Sequence, residues 1–563
     1  MTPPRTESPA SAFSAELLAG LVAGGVRDVV LAPGSRSQAL ALVAAELEAS
    51  GAIRLHVRID ERVAGFLALG LAVESGRPVP VITTSGTAVA NLHPAVLEAH
   101  HSAVPIVVIS ADRPEELRGI GSNQTTVQPG IFAGALRAEW DVVAPTADDA
   151  PGRAADLARA IVAAAATGPV HVNLQLREPL SSVLEPHERV EPDQRVEPVE
   201  TPAASQQVST GATHLIHPGP KTVVVAGHGA GERAEELARE LDAPLFAEVS
   251  SGAHFGPQLV VAWRDLLPDL GDAIERVIVL GHPTLSREVP LLLQRPGLET
   301  IIVTTPGVEA YDPGHAASII VDDVRVEGSG TDRSWAGRWV FSSRALLEKP
   351  DAEDVAIAVS DEPGNQAAFG RAVLSALRAP VDRRDLVEAV WRMTWPHDRL
   401  VLGASRLIRE ADRVVPGKRI RVHANRGLAG IDGTIATGIG IARAAQSGGD
   451  ERSALGVTRV LLGDLALLHD AGSLLFGAGE TRPRIQVVVG NDNGGTIFDG
   501  LEVAAGTPPE RFERVMLTPQ TVDLGQLAAA YGWEYRRVAT RGELEEALTP
   551  SEGSVLVEVA LAR

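Results

Sequence analysis

The chain has 563 residues, more than the ~250–300 that one hydrophobic core usually supports, so two to four domains are expected. It contains no cysteine, which excludes disulfides, thiolate metal sites and cysteine nucleophiles. Its formal net charge of −21 argues against nucleic acid and anionic membranes as partners, although a local arginine cluster can still bind small anions. No apolar run reaches the ~20 residues of a membrane span, and the first residues do not resemble a signal peptide, so we expect a cytoplasmic protein.

Residues 14–185 alternate between helix-like and strand-like segments, and polar clusters follow the strands. Short apolar runs predict strands at residues 28–31, 55–59, 79–82, 105–109 and 170–174. Strands that alternate with helices are typical of a parallel sheet, which binds ligands at the carboxyl ends of its strands. We therefore expect the polar clusters of this region to share one edge of a sheet.

Two further α/β regions follow, and segments rich in Pro and Glu separate them. Residues 185–210 and 350–365 are predicted to be linkers. The second region is predicted to contain strands at residues 222–226, 277–280, 300–303 and 318–321. The sequence therefore predicts an α/β protein with three doubly wound parallel-sheet domains, at residues 1–190, 205–350 and 380–563.

The third region contains the most informative stretch, residues 457–499. One apolar run ends in Gly463-Asp464, a helix-length segment follows, and a second apolar run ends in residues 490–495. Such a βαβ unit places both polar clusters at the carboxyl edge of a parallel sheet. Asp464, Asp492 and the carbonyl of Gly494 would offer the hard oxygens that Mg²⁺ prefers. The alternative is a pair of solvated loops, because Gly, Asp and Asn are common turn residues.

Glu61 follows the second predicted strand and precedes an apolar segment, residues 63–72. A charged residue at a strand end is often simply solvated. A carboxyl group in an apolar pocket, by contrast, can retain its proton near neutral pH and act in proton transfer. Both interpretations remain open from the residues alone.

Three other motifs have alternative interpretations. Residues 227–231, GHGAG, are either a structural turn between strand and helix or a nucleotide loop, but their spacing is not GxGxxG. His93, Glu98, His100 and His101 lie near one helix, and their spacing gives little support to a zinc site. Residues 33–37, PGSRS, form either a plain turn or an anion site in which Arg36 is the donor.

Several motifs together resemble one family of enzymes. The GD…NDNGG spacing and Glu61 resemble thiamine-diphosphate enzymes of the 2-oxo-acid decarboxylase type, and the domain order is similar. Within that family the chain looks most like the menaquinone-pathway branch. The motifs that carry this resemblance lie at residues 32–37, 60–62, 84–92, 110–117, 121–124, 425–427, 430–433 and 493–498.

The resemblance implies the cofactor thiamine diphosphate and a Mg²⁺ ion, with Mn²⁺ as a possible substitute. It implies that Glu61 is the catalytic acid, hydrogen-bonded to the aminopyrimidine ring of the cofactor. The other implied cofactor residues are Ser85, Gly86, Gly403, Ile431, Gly463, Asp464, Leu465, Asp492, Gly494 and Ile497, and the implied metal ligands are Asp464, Asp492 and Gly494. The implied substrate residues are Ser35, Arg36, Arg113, Asn123, Gln124, Ser405, Arg409, Arg426, Ile497 and Phe498.

The reaction implied by the resemblance is that of a transferase. It decarboxylates 2-oxoglutarate and adds the succinyl carbanion to isochorismate, in a homodimer or homotetramer whose active sites lie between subunits. The alternatives are another thiamine-diphosphate carboligase, such as an acetolactate-synthase-like enzyme, a simple 2-oxo-acid decarboxylase, or a catalytically silent binding protein. The arginines favour a dicarboxylate donor over pyruvate. The role of Arg287 is left open, because Glu288 follows it where some relatives have a second basic residue.

Overall fold

A computed structural model of the protein describes residues 8–181, 213–328, 333–347, 365–448 and 450–563. These residues contain three large parallel sheets flanked by helices, which confirms the predicted fold class. The predicted linkers, 185–210 and all but the last residue of 350–365, lie outside the described residues. Among the helices that the structure describes, none is both long and apolar enough to cross a membrane.

The chain divides into two compact units. The first contains residues 1–207, 427–454 and 470–483, and the second contains residues 208–426, 455–469 and 484–563. A helix of the predicted third domain thus belongs to the same unit as the N-terminal region. The division into three domains stays a prediction.

The first unit is built on a six-stranded sheet with the order β2-β1-β3-β4-β6-β5. Its strands are β1 Asp28–Leu31, β2 Arg54–Val57, β3 Val79–Thr83, β4 Ile106–Asp112, β5 Ala138–Val142 and β6 Val170–Gln175. Its helices before residue 181 are α1 Pro9–Ala23, α2 Gln38–Ala49, α3 Glu61–Ser75, α4 Thr87–Ala90, α5 His93–His101 and α6 Arg153–Ala165. The strands β1, β3, β4 and β6 are fully buried, as expected for a sheet covered by helices on both faces.

The middle region, in the second unit, has a five-stranded sheet with the order β12-β11-β10-β8-β9 and a separate parallel pair, β13 with β7. Its strands are β7 Thr213–Ile216, β8 Thr222–Ala226, β9 Leu245–Ala247, β10 Arg276–Leu280, β11 Glu299–Val303, β12 Ile319–Val321 and β13 Asp323–Val326. Its helices are α7 Arg233–Glu240, α8 Trp263–Leu270, α9 Glu288–Leu293 and α10 Arg333–Leu347.

The third sheet, also in the second unit, has the order β15-β14-β16-β17-β19-β18. Its strands are β14 Arg399–Leu402, β15 Arg421–His423, β16 Thr458–Gly463, β17 Ile485–Asn491, β18 Glu534–Val538 and β19 Ser554–Ala560. The helices from residue 365 onward are α11 Asn365–Arg378, α12 Arg383–Met393, α13 Arg406–Val414, α14 Thr434–Gln446, α15 Glu451–Leu455, α16 Asp464–His469, α17 Glu502–Gly506, α18 Pro509–Phe512, α19 Leu524–Ala530 and α20 Arg541–Ala547. Of these, α14 belongs to the first unit.

The first and third sheets have the same strand order, 2-1-3-4-6-5, when the strands of each are numbered along the chain. In both sheets the order reverses between the first and third strands, β1 and β3 in one and β14 and β16 in the other. The loops at such a switch point diverge and leave a crevice at the carboxyl edge of the sheet, where doubly wound proteins bind ligands. Two positions are therefore expected to bind ligands, and the candidate residues cluster at both.

Two details of the strand prediction were wrong. The strand predicted at 55–59 ends at Val57, and Ile59 is exposed. The strand predicted at 105–109 continues to Asp112, so residues 110–112 belong to β4 rather than to the loop after it. Asp112 is fully buried there and is paired with Arg118 at 2.7 Å, which explains how a carboxylate fits within an interior strand.

Candidate active site

The switch point of the first sheet brings together the polar residues that follow β1 and β3. Gly34 lies against Thr84, so closely that a Cβ at Gly34 would meet the Thr84 side chain at 2.3 Å. Ser35 is exposed and Arg36 is half-buried on one side of this contact, and Ser85 is fully buried on the other. The structure therefore places residues 33–37 at the expected ligand-binding edge.

Ser85 is the centre of a hydrogen-bonded network. Its hydroxyl donates to the carbonyl of Gln124 at 2.9 Å and also contacts the guanidinium of Arg113. The side-chain amide of Gln124 donates to the backbone carbonyl of Ser85 at 3.0 Å. The backbone N–H of Gly86 donates to the side-chain oxygen of Gln128. Asn123 and Gln124 are exposed. The loop 121–128 is thus fixed against the end of β3 and presents polar side chains outward.

Arg113 is buried beside Arg36. Burial lowers the pKa of Arg113, and the positive charge of Arg36 lowers it further. Two cations held close together in a partly dehydrated place attract an anion, since an anion relieves their mutual repulsion. The anion site at residues 33–37 stays a prediction.

Glu61 is the first residue of α3. Asp60 caps this helix by accepting hydrogen bonds from the N–H groups of Arg62 and Val63. The side chain of Glu61 is half-buried, whereas residues 63–72 behind it are all buried. Ile431, also in the first unit, is 38% exposed. The roles of Glu61 and Ile431 stay predictions.

In the second unit, the proposed metal ligands converge at the ends of neighbouring strands. β16 pairs with β17, and Gly463 lies opposite Gly490, so the residues after them are brought close together. Asp464 is buried, and its pKa is raised to about 6, first by burial and then by the negative charge of Asp492. The N–H of Gly494 donates to Asp464 and opposes this shift. The three residues therefore form one compact group.

The geometry of this group fits a small hard cation. Gly494 has φ +139°, and a Cβ there would meet the carbonyl oxygen of Leu517 at 2.4 Å, so only glycine fits. A divalent ion between two neighbouring carboxylates compensates their negative charges. Oxygen ligands of this kind suit Mg²⁺ or Mn²⁺. Gly463 and Leu465 flank Asp464, and Ile497 and Phe498 lie half-buried in the short helical turn at Thr496–Gly500.

The switch point of the third sheet also contains Gly403 and Ser405. The N–H of Gly403 donates to Leu461, and a Cβ at Gly403 would meet the Leu462 side chain at 2.9 Å. Ser405 caps α13 by accepting from the N–H of Leu407. Arg409, one turn further, donates to the carbonyl of Ser405 at 3.0 Å.

Comparison with known proteins now identifies the family. Residues 13–135 match the family model described as thiamine pyrophosphate enzyme, N-terminal TPP binding domain. The chain is 56% identical to 2-succinyl-5-enolpyruvyl-6-hydroxy-3-cyclohexene-1-carboxylate synthase from Leifsonia xyli subsp. xyli, with 100% of this chain and 98% of the relative covered. It is 57% identical, over the same shares, to the protein of that name from Clavibacter michiganensis subsp. michiganensis. The chain belongs to this synthase family.

A solved structure agrees on the fold. The crystal structure of benzoylformate decarboxylase from Polynucleobacter necessarius matches with a TM-score of 0.64 at 15% identity, covering 99% of each chain. At this identity the likeness shows the fold alone. The prediction of a thiamine-diphosphate enzyme of the synthase family is confirmed, while the residue roles, the metal ion and the assembly state stay predictions.

Arg426 of this synthase-family chain is positioned by residues that the sequence analysis did not single out. Its Nε donates to the hydroxyl of Thr284 at 2.8 Å and its Nη2 to the carbonyl of Thr284 at 3.2 Å. Glu248 in turn accepts the N–H groups of Thr284 and Leu285, both at 2.6 Å. Because these partners lie more than 130 residues from Arg426, only the folded chain could reveal them.

Arg287 lies near the candidate substrate residues of the second unit. Burial lowers the pKa of Arg409, and the positive charge of Arg287 lowers it further. The second unit therefore contains its own pair of neighbouring arginines, as the first unit does with Arg36 and Arg113. The sequence analysis left Arg287 open, and the structure places it close enough to Arg409 to interact.

Two motifs have structural explanations. Gly227, in the GHGAG loop, is required because a Cβ would meet the backbone of His282 and Pro283 at little more than 2 Å. Glu98 accepts the N–H groups of Gly427 and Leu428 at 2.7 and 2.8 Å, which occupies its carboxylate. Among the described residues, no group of three or more His, Cys, Asp and Glu side chains is arranged to hold a metal ion.

Proposed function

We propose that this chain decarboxylates 2-oxoglutarate with bound thiamine diphosphate and adds the remaining four-carbon unit to isochorismate. The product is 2-succinyl-5-enolpyruvyl-6-hydroxy-3-cyclohexene-1-carboxylate, and CO₂ is released. The observation that supports this most is full-length similarity to synthases of that name, together with candidate residues at two switch points of the same topology. The reaction belongs to menaquinone biosynthesis.

The metal ion would be held by Asp464, Asp492 and the carbonyl of Gly494. Its positive charge would bind the diphosphate of the cofactor, which otherwise faces two carboxylates at the end of the third sheet. Gly403, Gly463 and Leu465 lie beside this group and would shape the space for the cofactor. Mg²⁺ is the first choice, and Mn²⁺ has similar ligand preferences.

The cofactor, when bound, supplies the electron sink that makes loss of CO₂ from a 2-oxo acid feasible. The chain's own part begins with Glu61, whose carboxyl would hold a proton against a ring nitrogen of the aminopyrimidine. Ser85 and Gly86 would line the same part of the cofactor site. Ile431 and Ile497 would contact the cofactor through their apolar side chains and exclude water from it.

Two pairs of arginines would bind the substrate carboxylates. Arg36 and Arg113 form one pair and Arg287 and Arg409 the other, and Arg426 is held in place by Thr284. Ser35, Asn123, Gln124, Ser405 and Phe498 would complete the walls of the substrate site. Arginine binds carboxylate with two parallel hydrogen bonds, so several arginines suit two substrates that are each multiply anionic.

The second candidate function is another thiamine-diphosphate carboligase or a simple 2-oxo-acid decarboxylase. The closeness of the arginines argues against it, because pyruvate has a single carboxylate. An assay of the purified protein with Mg²⁺, thiamine diphosphate and isochorismate decides between them. We expect isochorismate absorbance to fall with 2-oxoglutarate as donor and to remain unchanged with pyruvate.

Glu61→Gln tests the proposed proton-holding role. The variant keeps the shape of the side chain but cannot hold the acid proton, so it should bind thiamine diphosphate and lose most of its activity. The direct measurement is exchange of the C2 proton of the bound cofactor by NMR, which should slow by orders of magnitude. Exchange at the wild-type rate would remove Glu61 from this role.

We also propose that the protein assembles as a homodimer or homotetramer. Glu61 belongs to the first compact unit and Asp464 to the second. In the family to which the chain belongs, by resemblance, the two domains that contact one cofactor come from different subunits. A two-fold axis would then produce two equal sites in each dimer.

A further inference from the structure

Asp492 has a basic neighbour that neither the motif nor the family resemblance assigns. Arg383 is the first residue of α12, and its Nη2 lies 2.8 Å from Oδ2 of Asp492. Both side chains are largely buried, with 16% and 10% of their surfaces exposed. An arginine with so little contact with water interacts with a carboxylate more strongly than a surface ion pair does.

The hydrogen bonds of Asp492 leave one of its oxygens available. The hydroxyl of Thr496 donates to Oδ2 at 2.5 Å, so Arg383 and Thr496 both bind the same oxygen. Among the described residues, Oδ1 accepts no hydrogen bond. The pair thus fixes the carboxylate through one oxygen and leaves the other to bind a cation.

The ionised side chains at this place carry two negative charges and one positive charge. Asp464 and Asp492 follow the paired strands β16 and β17, in which Gly463 lies opposite Gly490, so both carboxylates lie at the same sheet edge. Arg383 adds one positive charge at hydrogen-bond distance from Asp492. Two carboxylates and one guanidinium attract a divalent cation less than two carboxylates alone, because like charges repel over short distances.

We propose that Arg383 is a positioning residue of the metal site, which orients Asp492 and lowers the affinity of the protein for the metal ion alone. This inference rests on the proposed function, in which Asp464, Asp492 and Gly494 hold the ion. The negative charge still needed by the ion would then come from the diphosphate of the cofactor. Metal and thiamine diphosphate therefore bind cooperatively, and neither is retained well without the other.

The test is a titration of the metal-free, cofactor-free protein with Mn²⁺, followed by electron paramagnetic resonance, with and without thiamine diphosphate. In Arg383→Gln the repulsion is lost while Thr496 still holds Asp492. We expect Mn²⁺ alone to bind about tenfold more tightly than in wild type, and the enhancement by thiamine diphosphate to shrink by a similar factor. Arg383→Lys keeps the charge and should bind Mn²⁺ as wild type does.

A double-mutant cycle distinguishes charge compensation from general damage. Asp492→Asn alone leaves Arg383 as an uncompensated cation and should weaken Mn²⁺ binding strongly. Because Asp492 no longer neutralises Arg383 in that protein, adding Arg383→Gln should strengthen Mn²⁺ binding by clearly more than the tenfold expected in the wild-type background, so the two changes are not additive. Arg384→Gln is the matched control, because Arg384 is the next residue, 53% exposed and paired with Glu388 instead.

The outcomes separate this inference from the proposed function. Suppose that the wild type binds Mn²⁺ in the presence of thiamine diphosphate. If the Mn²⁺ affinity of Arg383→Gln is then within twofold of the wild-type affinity, or if the double-mutant cycle is additive, only the role of Arg383 is overturned. Wild type that binds no Mn²⁺ even with thiamine diphosphate would overturn the metal site, and the role of Arg383 with it. If Arg383→Gln does not fold, Arg383→Lys provides the test. A Mn²⁺ affinity of Arg383→Lys that differs more than threefold from the wild-type affinity overturns the charge argument.

Discussion

At the scale of single residues, His228 shows how burial beside cations is expected to affect stability. His228 lies partly buried after β8, and desolvation lowers its pKa to about 4, with Arg426, His282 and His423 adding to the shift. A histidine whose pKa is depressed in the folded state stabilises the fold above its unfolded pKa of ~6.5, and this stability is lost as pH falls toward 4. The histidine must stay neutral, because a second positive charge beside Arg426 is unfavourable.

His228→Asn should therefore reduce the acid sensitivity of the protein. Between pH 7 and pH 5 the wild type should lose about 2 kcal/mol of unfolding free energy through this residue, and the variant should lose correspondingly less. Urea-unfolding midpoints at the two pH values measure the difference. His315→Asn is the control, since His315 is 98% exposed and should leave the pH dependence unchanged. Equal acid sensitivity in wild type and His228→Asn would contradict the prediction.

The residues that sequence could predict and those it could not differ in a physical way. Asp464, Asp492 and Gly494 follow buried strands directly, so their meeting at one sheet edge follows from local pattern and parallel pairing. Arg383, Thr284 and Glu248 contact residues that are 109, 142 and 36 positions away in the sequence. No local pattern encodes such contacts, and they emerged only from the folded structure.

At the scale of elements, the crossing of α3 and α14 in the first unit depends on glycine. A Cβ at Gly70 would lie 2.0 Å from the carbonyl oxygen of Thr437, and a Cβ at Gly440 would lie 2.3 Å from that of Leu67. The two backbones therefore touch, and no larger residue fits between them. Sequence reasoning identified the apolar character of residues 63–72 but not the helix that packs on them, because α14 comes more than 350 residues later.

Gly70→Ala should destabilise the first unit by about 1–3 kcal/mol or more, because the added methyl group forces the two helices apart. Gly337→Ala is the matched control: Gly337 lies inside α10, and a Cβ there meets nothing within 4 Å. That substitution should stabilise the helix by about 0.5–1 kcal/mol, since alanine is the better helix former. Thermal melting of the two variants should shift in opposite directions, and a Gly70→Ala protein as stable as wild type would refute the close crossing.

Most of the predicted strands are close to observed ones, but several observed strands were not predicted. β8 matches the predicted bounds, and β10 and β11 begin one residue earlier than predicted, because continuous runs of apolar residues mark interior parallel strands. β5, with the sequence AEWDV, is a half-exposed edge strand, and β9 has only three residues. β5 has no uninterrupted apolar run, and the apolar run of β9 is shorter than the four residues that mark a strand, so neither was distinguishable from loop.

At the scale of the whole molecule, the chain contains two sheets of the same order with candidate residues at the switch point of each. Glu61 and the groups around Ser85 lie in the first unit, and the proposed metal ligands Asp464, Asp492 and Gly494 lie in the second. Under the proposed function, one cofactor would contact both kinds of group. Either a single chain supplies both, or two chains exchange them in a symmetric dimer, as we propose from the family resemblance.

Co-expression of two inactive variants distinguishes these arrangements. Glu61→Gln damages the first unit and Asp464→Ala the second, so each homodimer has damage at both of its sites. In a mixed dimer with shared sites, one site receives both damaged units and the other receives two intact ones. Random pairing makes half of the dimers mixed, so roughly a quarter of wild-type activity should return.

The control pairs two lesions from the same unit, Asp464→Ala with Asp492→Ala. Each site of a mixed dimer then contains one damaged second unit, so activity should stay at the level of the parents whether or not the sites are shared.

Two affinity tags, one on each chain, allow the mixed dimers to be purified and their assembly to be demonstrated. If each site were built from one chain, purified Glu61→Gln/Asp464→Ala dimers would contain one lesion in every site and remain inactive. Because each arrangement predicts a different activity for the same purified species, the measurement decides whether one chain or two chains complete each site.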